Sequence, residues 1–384
     1  MSGLTARVIT DRGAVDAIVP EWTTLLADGA RGGLFSTPEW QLSWLDAIPG
    51  SSPRYVTVSD DAGGLRGVLP LATRSRKIGP LTLRALELGG EAIAGGDHLG
   101  FVVRESDAAA AWAAAAPLIR ASAQDADLVR LASIDAGEAA FALAALSNAA
   151  GWHAYARRED VAPRMPLPRG GTDLLDAFRP QRRTKIRYYE RHLASSHPSA
   201  AFVANDARVP VAAALDALVS LHGSRWQIRG ETGVMVDSDF ATFVRRFSAQ
   251  AHARGWLRLH QLFVEDRIVA VLLAFHWRGT ASAWVLGWNP AFARWNVAEL
   301  LFVHSMREAA REGMHTYDFL RGREPYKFRF PVEAPALIRQ DWTMTSRGRI
   351  AADAGLVTEL VFASARRWRT RAERVVRRVR RARD

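Results

Sequence analysis

Between residues 318 and 327 the chain reads Asp-Phe-Leu-Arg-Gly-Arg-Glu-Pro-Tyr-Lys, an acid, several cations and a phenol within one turn-rich stretch. Asp318 can accept a proton from an incoming group or orient it, and Tyr326 can return one to a leaving group. Arg321 offers a bidentate fork and Lys327 a point charge, both suited to a phosphate or carboxylate, with Glu324 between them. Upstream, His222, Arg225 and Trp226 stand at i, i+3 and i+4 on one helix face. There His can relay a proton and Trp can stack on a sugar or adenine. Gly95-Gly96-Asp97-His98 forms a flexible loop after a predicted strand, able to approach a ligand closely, and Asp97 is its candidate contact. Arg294 and Asn296 precede a predicted helix, where Asn296 and Glu299 have the spacing of a capping box. Each candidate has a bland alternative: an Asp318–Arg321 salt bridge, Tyr326 packed under the loop, a core-facing His222, a surface turn at 95–98. No His/Asp/Glu cluster has metal-ligand spacing, so no metal is expected.

The elements that must position these residues follow from periodicity and punctuation. Strands are predicted at 54–58, 65–72, 81–88, 99–103 and 128–134, with helices at 107–123 and 137–150. Val161–Gly171, with three prolines and a Gly-Gly pair, reads as a linker. Beyond it come helices at 173–195, 211–227 and 238–254, strands at 256–264, 268–277 and 281–287, a helix at 297–312, and strands at 316–320 and 337–344. Asp61–Leu71 resembles Glu265–Phe275, each an acidic turn followed by an apolar strand, which supports a duplicated α/β unit.

Composition narrows the classes. With 48% apolar residues in 384, the chain can fill two or three cores, and the absence of cysteine excludes disulfides and thiolate chemistry. No window approaches a membrane span and no secretory signal is evident, so a cytoplasmic protein is expected. The net charge of +11 is concentrated in two places. Residues 366–384 carry ten arginines against Glu373 and Asp384, and 179–191 carry six basic residues against Glu190. Such patches attract phosphate in a nucleotide, a nucleic acid or a lipid headgroup. The apolar spacing of 361–379 suits an amphipathic helix lying on the inner face of an anionic membrane.

Several motifs carry a family resemblance. Phe35-Ser-Thr-Pro-Glu-Trp40 with Trp44, Gly67-Val-Leu-Pro-Leu71, Arg182-Arg-Thr-Lys-Ile-Arg187, Leu221-His-Gly-Ser-Arg-Trp226 and, above all, Tyr317–Phe328 resemble the cellulose-biosynthesis (CelD-type) acetyltransferases. Those are GNAT-superfamily proteins, similar to the FemAB peptidyltransferases. The resemblance implies an α/β (α+β) fold of tandem GNAT-like lobes, each a mixed central sheet flanked by helices. The lobes would be 1–165 and 166–348, the second carrying the active site, with 349–384 a basic C-terminal helix. It implies transfer of an acetyl or other acyl group from an acyl-CoA to an amine or hydroxyl of an envelope or polysaccharide-related acceptor. Asp318, Tyr326, Lys327 and His222 would then be catalytic, Arg321, Glu324, Trp226, Arg225 and Asp97 would bind substrate, and Arg294 and Asn296 would contact acyl-CoA. The usual pyrophosphate loop contains glycines, whereas Arg294-Trp-Asn-Val-Ala-Glu299 keeps the Arg and lacks them. A FemAB-like enzyme using aminoacyl-tRNA is therefore a second reading, favoured by the 179–191 patch. A non-catalytic membrane scaffold is a third.

Overall fold

The computed structural model describes residues 3–78, 81–147, 151–205, 209–227, 238–350 and 352, with 78, 81 and 224–227 described by backbone alone. In the first lobe β1 (Thr5–Ile9), β3 (Tyr55–Ser59), β4 (Leu65–Leu69) and β7 (Val102–Val103) form a four-stranded sheet in that order. β2 (Ser52–Pro53), β5 (Leu71–Ile78), β6 (Leu81–Leu88), β8 (Leu128–Asp135), β16 (Ala336–Thr343) and β9 (His153–Val161) form a six-stranded one, again in spatial order. The single strand predicted at 65–72 is broken at Pro70, which has no N–H for a ladder, so its two halves serve different sheets. Around these sheets lie α1 (Arg12–Ala17), α2 (Val19–Ala27), α3 (Pro38–Ala47), α4 (Ala108–Ser122) and α5 (Ala136–Leu146).

The second lobe is a six-stranded sheet of β10 (Arg164–Pro166), β15 (Thr316–Asp318), β14 (Thr280–Trp288), β13 (Arg267–Trp277), β12 (Leu257–Val264) and β11 (Ala201–Ala204), in spatial order. Its helices are α6 (Pro180–Ser196), α7 (Val211–Gln227), α8 (Ser238–Ala253) and α9 (Val297–Arg311). The two acidic turns matched in sequence are both hairpins, β3–β4 and β12–β13. In the second, Glu265 and Asp266 both have positive φ, the geometry that matches the twist of the flanking strands. Both six-stranded sheets contain one parallel pair joined through a helix, β6–β8 through α4 and β14–β15 through α9. The duplicated α/β organisation expected from the sequence is thus visible in the topology.

The lobe boundaries are less simple than the residue ranges 1–165 and 166–348. β16, which follows the whole second lobe in sequence, pairs antiparallel with β8 and β9 and lies between them in the first lobe's sheet. The predicted linker 161–171 contains β10, which pairs with β15 in the second lobe's sheet through Arg164↔Asp318. The predicted basic helix also starts late, with a 3-10 turn at Leu174–Ala177 and α6 proper beginning at Pro180. The C-terminal segment 361–384, proposed above as a membrane helix, lies outside the described residues. Among the described residues no helix is long and apolar enough to cross a membrane.

Apolar residues from both lobes merge into one cluster. α8 buries Phe240, Phe243, Val244, Phe247 and Ala251, the i, i+3, i+4, i+7, i+11 stripe of an amphipathic helix. It meets α3, whose start is set by Thr37, accepting from the Trp40 amide, and by Pro38 in the first turn. Trp40 is fully buried and makes edge contacts with Phe35 of its own lobe and with Phe243, Phe247 and Trp284 of the other, at centroid separations of 4.6–5.3 Å. Trp40→Ala should cost about 3–5 kcal/mol. Because the cluster is shared, wild type and variant should each unfold in a single transition when urea denaturation is followed by fluorescence and circular dichroism. Two separated transitions would show the lobes to be independent.

Candidate active site

The parallel register of β14 and β15 runs from Thr280↔Thr316 to Ser282↔Asp318 and ends there. Beyond it the strands diverge, and the edge of β14 at Ala283–Leu286 faces a cavity of about 330 Å³. Its walls come from both lobes: Ile93–Gly95 and Asp97 from the first, His222 of α7, Phe240 of α8 and the 319–327 loop from the second. The equivalent opening in the first lobe is sealed. There the β6–β8 register ends at Glu87↔Arg130, the 89–98 loop turns into the gap, and Leu99 bridges to Ile134. α3 closes what remains, with Gln41 donating to the Gly89 carbonyl, Trp40 to Gly90 and Trp44 to Ala92. A Cβ at Gly89 or Gly90 would lie 2.5 Å from Gln41 or Trp40. The first glycine pair of this loop therefore permits tight internal packing rather than approach to a ligand.

Of the residues singled out by sequence, Asp97, His222, Arg321, Glu324, Tyr326 and Lys327 line this one cavity. The side chains of Arg225 and Trp226 lie outside the described residues. Asp318 is not among the lining residues. It sits on β15 at the edge of a second, polar cavity of about 460 Å³, lined also by Arg31, His98, Asp135, Arg164 and Arg278. Nor does Asp318 bond to Arg321: one oxygen accepts from the Leu320 amide at 2.7 Å, the other faces His98. Arg294 stacks over Trp295 at 3.8 Å. Asn296, in the left-handed region at φ 54°, makes no side-chain cap and instead donates to Glu299. Both line up with the α9 N-terminus and not with the 330 Å³ groove, and only Asn296 borders the adjoining small cavity.

Arg321 and Lys327, the loop cations that line the groove, are already engaged. Arg321 Nε lies 2.6 Å from Asp97, Nη1 donates to Glu91 at 3.2 Å and Nη2 to the Gly96 carbonyl at 2.8 Å. Its own amide donates to Asp97 at 2.6 Å. Lys327, 4% exposed, donates from Nζ to the carbonyls of Leu320 and Arg321 at 3.0 and 2.5 Å and pairs with Glu324 at 3.1 Å. Two donations and an ion pair occupy the ammonium, so Lys327 holds the loop closed, and Arg321 latches it to the first lobe. The role of free phosphate or carboxylate binder expected for each is not what this geometry supports. Burial would raise Glu91, but the charges of Arg321 and Arg76 win and hold it below the usual carboxylate range. At Asp97 burial dominates over Arg321 and the pKa is raised. Tyr326 stacks on Phe302 at 5.5 Å and lines both the groove and its neighbour. It is the phenol with a route to a ligand; Tyr317, fully buried on Ser305, is not.

The sequence profile of the acetyltransferase (GNAT) domain matches residues 180–328, the open lobe up to the end of the site loop. No curated protein matches the chain. Among solved structures, the crystal structure of FemX superposes with a TM-score of 0.60 at 14% identity, covering 87% of this chain and 96% of that one. L-PGS from Bacillus licheniformis does so at 0.52 and 12%, covering 90% and 96%. A C-terminal domain of a putative lysylphosphatidylglycerol synthetase from Agrobacterium fabrum does so at 0.51 and 11%, covering 90% and 95%. The fold is accordingly α/β with GNAT-like lobes in tandem, and it is the second lobe that resembles the acetyltransferase (GNAT) domain.

His98 was legible only as part of a glycine-rich loop, yet it ties the lobes together. Its Nδ1 meets Asp135 at 2.8 Å and its Nε2 meets Asp318 at 3.0 Å, the latter from the other lobe. A ring with a carboxylate on each nitrogen needs a proton on both. Burial would lower its pKa, but the two hydrogen bonds and charges outweigh that and place it well above 6.5. A raised folded pKa contributes stability that is complete below the unfolded value and is lost as pH rises through the folded one. His98→Gln should therefore cost most below pH about 6.5, and the gap from wild type should shrink as urea unfolding is repeated toward about pH 9. A gap independent of pH would exclude a charged strut.

Proposed function

We propose that the chain is an acyltransferase whose reaction centre is the open groove of the second lobe, and that it passes an acyl group from an activated donor to an amine or hydroxyl. The observation that carries this reading is asymmetry: of two related β-divergences, one is plugged by Trp40 and Gln41, and the other opens onto His222 and Tyr326. In the reaction the acceptor attacks the acyl carbonyl, a C–N or C–O bond forms, and the bond from the carbonyl carbon to the donor heteroatom breaks. His222 takes the acceptor's proton and Tyr326 protonates the leaving heteroatom. The edge of β14 at Ala283–Leu286, which has no strand partner among the described residues, would bind the carbonyl oxygen as charge develops there. Glu324, at the rim, would contact the acceptor. Arg321 and Lys327 act by fixing the loop, as their bonds indicate.

The acyl group would be acetyl if the donor resembles that of the GNAT domain, and the acceptor an envelope or polysaccharide precursor, as the resemblance to CelD-type proteins implies. A second donor class has a specific observation behind it. The N-terminus of α9, where GNAT enzymes usually seat the coenzyme A pyrophosphate, already holds a carboxylate: Glu299, 6% exposed, bonded by Arg182 and Asn296. A pyrophosphate placed there would meet like charge, so these residues do not fit that group. An aminoacyl ester of RNA, as in a FemAB-like enzyme, makes no such demand. A location in the cytoplasm, with the basic end of the chain on the membrane, agrees with either donor.

Tyr326→Phe should leave thermal stability unchanged and lower turnover by about 10²–10⁴-fold, measured by single-turnover transfer. Wild-type turnover in that variant would remove the acid from the scheme. Thermal-shift titration separates the donors. An acyl-CoA raising the melting temperature supports the thioester, a charged RNA minihelix doing so supports the ester, and a response to neither supports a non-catalytic scaffold.

A further inference from the structure

The groove does not end at Tyr326. Through Leu286, Phe302 and Tyr326 it adjoins a cavity of about 160 Å³, and that cavity shares Arg329 and Phe330 with a third of about 670 Å³. The middle space is a largely apolar neck, with Trp288 and Ala298 in its walls and the polar Asn296 and Glu299 at its α9 side. The outer one lies between the first turns of α6 and the 328–332 segment and sets four cations, Arg179, Arg182, Lys185 and Arg329, with Gln181 among apolar walls. Among the described residues, only Arg182 of these four is paired with a carboxylate, that of Glu299. Lys185 rests on the Tyr189 ring, while Arg179 and Arg329 are exposed on the cavity wall.

We propose that this basic cavity receives the nucleotide phosphates of the donor, with Phe328 as the stacking face for its base. The assignment rests on the acyl-transfer reading and adds where the donor's charged end lies. Four like charges around one concavity repel one another, and Arg182 feels it: burial and then the charge of Arg329 pull its pKa down. Such a cluster is relieved by a polyanion, and guanidinium forks match phosphate geometry. Phe328 is 48% exposed at the edge of that concavity, where a base could cover it. The carboxylate at the α9 N-terminus explains why the phosphates go here: Glu299 denies them the helix end and, through Arg182, helps to orient the outer cluster. The neck then takes whatever uncharged part of the donor separates acyl group from phosphate, a thioester arm in coenzyme A or the terminal ribose in RNA.

The test uses the full chain with two probes, coenzyme A and an RNA hairpin ending in single-stranded CCA, titrated calorimetrically at two salt concentrations. Wild type should bind one of them. The Arg179→Ala/Lys185→Ala variant, altered only at exposed positions, should bind about tenfold or more weakly, and Arg329→Glu should do likewise. Coenzyme A responding identifies the thioester as source, and the hairpin identifies the RNA ester, with a steep fall in affinity as salt rises. Phe328→Ala should weaken either probe while leaving inorganic phosphate, the control, unchanged. Binding that is equal in wild type and cation variants overturns the assignment, as does failure of wild type to bind either probe. Failure of the catalytic scheme looks different: Tyr326→Phe would then turn over normally while the cation variants still lost the probe.

Discussion

Antiparallel pairing of β16 with β8 and β9 is the constraint on which the rest of the molecule depends. A strand that follows the second lobe in sequence occupies an interior position in the first lobe's six-stranded sheet, so that sheet is not complete without the end of the chain's second half. Its register is reinforced inside the sheet by Asp341, which accepts from Arg130 at 2.7 and 3.1 Å with both partners buried. Such a pair contributes less to net stability than to uniqueness, because removing either partner strands a charge in a dry place. The position of β16 also dictates the path of residues 319–335. They leave β15 in one lobe and must arrive at β16 in the other, so the site loop is fastened at both ends to different sheets.

The polar chemistry along that loop follows from this fastening. Arg321 is gathered by Asp97, Glu91 and the Gly96 carbonyl of the first lobe, and Lys327 by carbonyls of its own loop. Asp318 is gathered by His98. Leu320 adopts φ 58°, costly for a branched residue, and does so where its amide is held by Asp318 and its carbonyl by Lys327. Most of the charged groups in the stretch are thus spent on shaping it. The groove is also faced by a phenol, Tyr326, an imidazole, His222, and the edge of β14.

Much of this was legible in the sequence. The 16-residue helix α8 and the long runs of β12, β13 and β14 have strong periodicity or continuous apolar composition, and the structure places them within a residue or two of expectation. β9 was missed because His-Ala-Tyr-Ala-Arg-Arg-Glu-Asp-Val carries four consecutive charges, which an edge strand with mostly exposed or half-buried positions tolerates. β10 was hidden by the prolines that made its surroundings look like a linker. The site loop was readable as a cluster because its members are near neighbours in sequence. Their partners were not: His98 and Asp318 are 220 residues apart, and Glu91 and Arg321 are 230. An Asp-Phe-Leu-Arg run suggests a local salt bridge, and only the packing of two lobes reveals that each charge has a better partner across the seam.

The sealing of the first lobe's β-divergence by Trp40, Gln41 and the Gly89-Gly90 turn bears on stoichiometry. Of the two β-divergences, only the second opens onto a cavity among the described residues, so the proposed reading carries one equivalent of ligand per polypeptide, with the first lobe as a buttress. On that reading the shape of the open half is braced by a neighbour whose own divergence is filled with side chains.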